Sequence, residues 1–202
     1  MGVESAEMRR IVVGISGASG AIYAQGVTRA LVAAGVEVHL VVSTYGRRLL
    51  RDELGMEQVS LETLAGRADH GMVLHSNNDV GAAIASGSFR HDGMIVVPAS
   101  SNALASIANG LGDTLLYRAA AVTLKERRKL VLCHREMPLT HIDIENMHRL
   151  SLAGGIIAPA NPGWYLLPQS TQDLADFVVG RLLDLLGVAH TVGRRWGENA
   201  PA

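Results

Sequence analysis

The sequence predicts an α/β domain with a mostly parallel sheet, doubly wound by helices on both faces. Three observations predict it. Short apolar runs recur along the chain, segments with helical spacing separate them, and glycines or small hydroxyl residues sit where the runs end. Strands buried on both faces read as unbroken apolar runs, and parallel strands need a crossover between them, usually a helix.

Arg10-Ile11-Val12-Val13-Gly14-Ile15 is the first such run and reads as a buried strand. Ala21 to Ala34 has apolar residues at helical spacing, and Gly35 sits where a helix ends. Glu37 to Val42 is a second strand, and Tyr45 to Leu54 a helix. Met56 to Asn78 is polar and irregular, with room for one short helix. Gly93 to Pro98 is a third strand, Ser101 to Asn109 and Thr114 to Arg127 are helices, and Lys129 to Cys133 is a fourth strand. His141 to Ala153 is a helix, Gly155 to Ala158 a short strand, and Thr171 to Leu186 an amphipathic helix ending at Gly187. The expected layout is one Rossmann-like (flavodoxin-like) domain over residues 9–189, a disordered extension over 1–8 and a polar tail over 190–202. There are no repeats and no linker.

Composition narrows the function. The chain has 202 residues, 48% of them hydrophobic, 18% charged and 4% aromatic, with 22 glycines. It is too apolar to be disordered. A net charge of −1 argues against nucleic acid, because neutralising phosphates needs a basic surface. The single cysteine, Cys133, excludes a disulfide scaffold and a cysteine zinc site, and the eight histidines form no metal-ligating pair. Leu150 to Gln172 is free of charge, but Pro159, Pro162, Pro168 and several glycines break it as a spanning helix. Met1 to Arg10 lacks an apolar signal core, and Ala6 stands where a myristoylation signal needs Ser or Thr. A cytoplasmic protein without membrane or metal is expected. Its scarce charge points to a large core or to surface covered by partners.

In doubly wound folds ligands sit beyond the carboxyl ends of the strands. After the first strand comes Gly14-Ile15-Ser16-Gly17-Ala18-Ser19-Gly20, whose small residues let backbone N–H groups approach a phosphate or a flavin. Its spacing is not Gly-x-Gly-x-x-Gly, and no Walker lysine follows. The second strand ends at Ser43 and the third at Ser100-Ser101-Asn102, with Ser86-Gly87-Ser88 upstream. Such hydroxyls suit a neutral ring with one phosphate, and equally suit helix capping. The fourth strand ends at His134-Arg135-Glu136. There Arg135 suits a bidentate clamp and Glu136 an acid or base, the alternative being an internal ion pair. Arg118 and Lys125 lie two turns apart on one helix face and are candidates for one site. Arg127, Arg128 and Lys129 read as a charged helix end, and Cys133 as structural.

Six motifs occur in order: Gly17-Ala18-Ser19-Gly20-Ala21-Ile22-Tyr23, Ser86-Gly87-Ser88-Phe89, Leu124-Lys125-Glu126-Arg127-Arg128, Arg135-Glu136-Met137-Pro138-Leu139, Glu145-Asn146-Met147 and Pro162-Gly163-Trp164-Tyr165-Leu166-Leu167-Pro168. As a set, over about residues 9–197, they resemble the UbiX/Pad-type flavin prenyltransferases. The resemblance implies transfer of a dimethylallyl group from dimethylallyl phosphate to N5 and C6 of reduced FMN, without metal. The product would serve a UbiD-type decarboxylase. It also implies a homododecamer with sites at subunit interfaces. Position by position, it implies that Gly17, Ala18, Ser19, Ser43, Ser100, Ser101, Asn102, Ala103 and Arg135 bind FMN. It gives the prenyl phosphate to Tyr165 and Arg181, further basic site positions to Arg118 and Lys125, catalysis to Ser19, Glu53 and Glu136, and closure of the tail to Trp196. Two residues depart from the pattern, Ala121 where Asp is usual and Ala99 where Cys is usual. Two other readings are a flavin-dependent cysteine decarboxylase of the same fold and a non-catalytic FMN-binding partner subunit. The first typically uses a histidine near the first helix, and Ser19 to Ala34 contains none.

Overall fold

The computed structural model describes residues 8–195 and 197. The expected extension (bar its last residue) and Trp196 lie outside the described residues. In chain order the elements are β1 (Arg10–Ile15), α1 (Ala21–Ala33), β2 (Glu37–Val42), α2 (Thr44–Leu54), α3 (Leu61–Ala65), β3 (Val73–His75), a 3-10 turn (Ala83–Ala85), β4 (Gly93–Ala99), α4 (Ser101–Ala108), α5 (Leu115–Lys125), β5 (Leu130–His134), α6 (His141–Leu152), β6 (Ile156–Ile157) and α7 (Thr171–Leu186). The six strands form one sheet in the order β3-β2-β1-β4-β5-β6, and every pair is parallel.

The apolar runs form strands because both faces of each are covered. Ile11, Val13 and Ile15 of β1 pack on one side with Val27 and Leu31 of α1 and Val179 and Leu183 of α7. Val12 of β1, with Met94 and Val96 of β4, packs on the other side against Leu104 of α4 and Leu115 and Leu116 of α5. Each such Val, Leu or Ile taken wholly from water contributes about 1.5–3 kcal/mol before entropy is charged against it. Cys133 lies in this interior, and burial pushes its thiol up to about 12, so it is an inert core residue.

One strand escaped the sequence reading. β3 has three residues, and its Val73 and Leu74 are partly exposed at 41% and 37%. A short edge strand lacks the continuous apolar run that marks the buried ones.

The order of the sheet fixes where a ligand sits. The chain winds outward from β1 through β2 to β3, then returns to β4 on the other side of β1. The crevice at this reversal lies between the carboxyl ends of β1 and β4.

Candidate active site

At that reversal Ser16, just after β1, locks the two strand ends together. Its Oγ donates to the Pro98 carbonyl at 2.9 Å and accepts from the Ser100 N–H at 2.8 Å. Ser43 caps α2 by accepting from Gly46 N at 3.0 Å, and Ser100 caps α4 by accepting from Ala103 N at 3.2 Å. The capping alternative therefore holds for both hydroxyls. Ser101 does not cap; its Oγ meets His134 Nε2 at 3.3 Å. Hydrogen bonds from Ser101 and Thr140 hold the Asp143 carboxyl below its usual range. His134 is 2% exposed, and burial lowers its pKa against the opposing influence of Asp143 and Glu136.

Two helices that begin here are capped from a distance. α1 has no side-chain cap of its own. The Glu53 carboxylate, from the last turn of α2, accepts from Gly20 N at 3.0 Å and Ala21 N at 2.8 Å. At α5 the Asn77 carbonyl oxygen accepts from Leu115 N at 2.9 Å, and its Oδ1 accepts from Leu116 N at 3.1 Å. Asn77 thereby does the work expected of Thr114, the residue at the N-cap position of α5. The Thr114 hydroxyl is buried with no hydrogen-bond partner among the described residues.

These groups enclose a cleft of about 390 Å3, walled by Ser16, Gly17, Ser43, Tyr45, Ser100, Asn102, Thr114 and Tyr117 among others. Gly17 must be glycine, because a Cβ there would run into the Tyr45 Cβ. Across the cleft Asn102 Nδ2 donates to the Tyr117 hydroxyl at 3.0 Å. The donors are hydroxyls, amides and helix N-termini rather than cations. They fit FMN: a flat ring against small residues, and a phosphate where helix dipoles point and an unpartnered hydroxyl waits. Gly17, Ser43, Ser100 and Asn102 are brought together in this cleft as the sequence led one to expect. Ser16, Asn77, Thr114 and Tyr117 were missed. Thr114 carried a signal, a β-branched hydroxyl at a helix start, whereas Asn77 follows the strand that was itself missed.

The remaining candidates spread out. Ala18 and Ala103 are buried, and Ser19 is exposed on the turn before α1. Arg135 and Glu136 are exposed at the end of β5, where Arg135 N donates to the Ala99 carbonyl at 3.1 Å and Glu136 Oε1 accepts from Met137 N at 3.0 Å. Tyr23 is a residue the sequence motif contained but left without a role. Burial raises its pKa with help from Cys133 and Glu53, and Arg135 opposes. Arg118 begins near the cleft, one turn after Thr114. Lys125 lies at the far end of α5, about 10 Å further along the helix axis, and pairs with Glu126 at 2.5 Å. Within one chain these two basic residues share a helix face but not an end. Ser86-Gly87-Ser88 is likewise away from the cleft, because Arg128, just after α5, donates to the carbonyls of Gly87 and Phe89.

A second cleft, of about 460 Å3, runs beside α7 and includes Tyr165, Arg181, Asp184, His190 and Arg195. Tyr165 stands edge-on to Phe177 with ring centroids 5.7 Å apart. Among the described residues no group of three His, Cys, Asp or Glu is placed to hold a metal, and no helix is long and apolar enough to cross a membrane.

The same architecture occurs in known proteins. The Flavoprotein family profile matches residues 3–183. The flavin prenyltransferase UbiX of Thermoplasma acidophilum is 45% identical over 93% of this chain and 99% of its own. The crystal structure of AnUbiX (PadA1) in complex with FMN and dimethylallyl pyrophosphate superposes with a TM-score of 0.89, at 42% identity, over 96% of this chain and all of that one. A dodecameric FMN-dependent UbiX-like decarboxylase from Escherichia coli O157:H7 superposes with a TM-score of 0.84, also at 42% identity, over 93% of this chain and 98% of that one. The chain therefore belongs to the Flavoprotein family and, within it, to the UbiX-type flavin prenyltransferases.

Proposed function

We propose that this protein is a flavin prenyltransferase that joins a dimethylallyl group from dimethylallyl phosphate to reduced FMN, and that a UbiD-type decarboxylase uses the product. The observation that carries this reading is the 42% identical relative, superposing over 96% of the chain, that holds FMN and dimethylallyl pyrophosphate together. Reduced FMN, when bound, supplies the electron-rich N5 and C6 that take the allyl carbon.

The chain's own residues divide the remaining work. Gly17, Ala18, Ser19, Ser43, the loop Ser100-Ser101-Asn102-Ala103 and Arg135 hold the flavin and its phosphate. Arg181, Tyr165, Lys125 and Arg118 neutralise the charge that grows on the leaving phosphate as the allylic C–O bond breaks. Closing the new ring at C6 releases a proton. Glu136, exposed at the end of β5 beside Arg135, accepts it with Ser19 in the relay. Glu53 fixes the start of α1, and with it the glycine turn, by its two backbone bonds. Trp196 and the tail exclude water that would trap the allyl cation.

A homododecamer with sites between subunits accounts for two facts. Met137, Leu139, Ile142 and Ile144 form an exposed apolar stretch leading into α6. Lys125 lies too far from the cleft to serve it within its own chain, and a neighbouring subunit's Lys125 takes its place. A cytoplasmic location is part of the proposed reading.

The test is direct. Protein, reduced FMN and dimethylallyl phosphate are mixed without oxygen, and the flavin is read by mass. A flavin heavier by one prenyl unit is expected. FMN bound but unaltered would favour a binding subunit instead.

A further inference from the structure

Asp184 is the unassigned residue on which the second cleft turns. Its Oδ2 accepts from Arg181 Nη1 at 3.1 Å, and its Oδ1 accepts from Arg195 Nη2 at 2.7 Å and from His190 Nε2 at 3.2 Å. The tautomer of His190 follows from its other nitrogen. Nδ1 accepts from Val192 N at 3.1 Å, so the ring proton is on Nε2 and is donated to Asp184. His190 has only 3% of its side chain exposed, which makes it a buried peg between the tail and α7. The tail lies close at this point because α7 carries Gly180, where a Cβ would stand 2.7 Å from the Val192 carbonyl oxygen. Gly180, His190 and Asp184 thus bring Arg195, eleven residues along the chain from Asp184, to the same carboxylate as Arg181.

The arrangement is built for more than tying down a tail. A guanidinium carries five N–H donors, so one bond to Asp184 anchors Arg181 and leaves most of its fork for another acceptor. Arg181 has 65% of its side chain exposed in the cleft that Tyr165 also lines. A lone surface ion pair would be worth little. Two guanidinium groups held on the two oxygens of one carboxylate are pre-organised to close on a tetrahedral dianion. Asp176, the other carboxylate of the cleft, is occupied by Gln172 Nε2 at 2.7 Å.

We propose that Arg195 is a second phosphate-binding residue beside Arg181, and that Asp184 is the positioning residue that sets the two arginines as one clamp for the phosphate of the prenyl donor. This rests on the prenyltransferase reading for the donor's identity, but not for the anion site itself.

The experiment titrates FMN-loaded full-length protein with dimethylallyl phosphate by calorimetry, and measures prenylated flavin separately. Arg195→Gln should weaken donor binding about tenfold, Arg195→Lys should recover part of the loss, and FMN affinity should not change. Asp184→Asn should weaken donor binding by a similar factor, raising KM more than it lowers kcat. The double variant should bind no worse than about the weaker single one, since both losses dismantle one clamp. Donor affinity within about twofold of wild type in Arg195→Gln, or factors that multiply in the double variant, would overturn the proposal. If Asp184→Asn proves unstable, Arg195→Gln decides alone, because it changes a half-exposed tail residue. Wild-type protein that binds the donor through Arg195 yet makes no prenylated FMN would overturn the prenyltransferase reading and leave the clamp standing. Normal prenylation with an indifferent Arg195→Gln would do the reverse.

Discussion

At the carboxyl end of the sheet the polar groups are short and fastened to backbone, while beside α7 they are long and fastened to one another. Ser16, Ser43 and Ser100 each hold an amide or carbonyl of a strand end or a helix start. Arg181, Arg195 and His190 meet at the Asp184 carboxylate. The first region's hydroxyls are already fixed to backbone, which would suit the flat ring that the proposed function places there. The second keeps two guanidinium groups near solvent on one carboxylate, which under the proposal above sets them in place for a small anion. The difference teaches that one chain can present two polar chemistries: neutral donors fastened to backbone, and cations gathered on one carboxylate.

The largest effect that can break this contrast concerns Glu136. If the strand-end region does chemistry as well as hold the flavin, Glu136→Gln should lower prenylated-flavin formation by about a hundredfold or more while FMN still binds. Wild-type yields by mass would reduce that region to a cradle. Next, Gly17→Ala sets a methyl against Tyr45. Overpacking of this kind costs about 1–3 kcal/mol, so FMN titrated by fluorescence should bind roughly ten- to a hundredfold more weakly.

Two substitutions in the same wall sharpen the contrast further. Asn77→Ala removes the side-chain bond of the distant cap to Leu116 N, keeps the main-chain bond to Leu115 N, and should destabilise the protein by about 1 kcal/mol, a drop in Tm of about 2–4 °C. Thr114→Val removes a hydroxyl that has no hydrogen-bond partner among the described residues, so Tm should hold or rise, while FMN affinity falls a few-fold. Equal loss of Tm in both would mean that Thr114 is structural after all. The smallest effect is acid sensitivity at His134, at the carboxyl end of β5. Burial lowers the pKa of His134, so the unfolded chain takes up its proton first as pH falls below about 6.5. Stability present above that pH should decline toward pH 5, and the decline should be shallower in His134→Gln. His75 and His91 are lowered by burial in the same direction, which leaves part of the slope in that variant.

Much of this was legible in the residues. The buried strands announced themselves because a parallel sheet covered on both faces requires unbroken apolar runs, and β1 and β2 fall where those runs do. Ser43 and Ser100 were recognisable as strand-end hydroxyls. What stayed hidden depends on chain folding back from afar. Glu53 caps a helix that starts 32 residues earlier, Asn77 one that starts 38 residues later, and no local pattern marks either. Arg118 and Lys125 show the opposite limit: their spacing reveals a shared face, but the two ends of an eleven-residue helix serve different places. Asp184 looked like one more acid on an amphipathic helix until the tail brought His190 and Arg195 to it.

The reach of Glu53 to the start of α1 bears on how such a domain can be redesigned. A glycine turn between a strand and a helix looks like a cassette, ready to be moved into another sheet to confer flavin binding. Here it is not self-sufficient. The amides of Gly20 and Ala21 are satisfied by the helix that follows the next strand. Transplanting residues 14–23 alone would deliver a turn with two orphaned donors. The smallest portable unit runs from β1 through the end of α2, and any swap of cofactor preference has to begin with both helices.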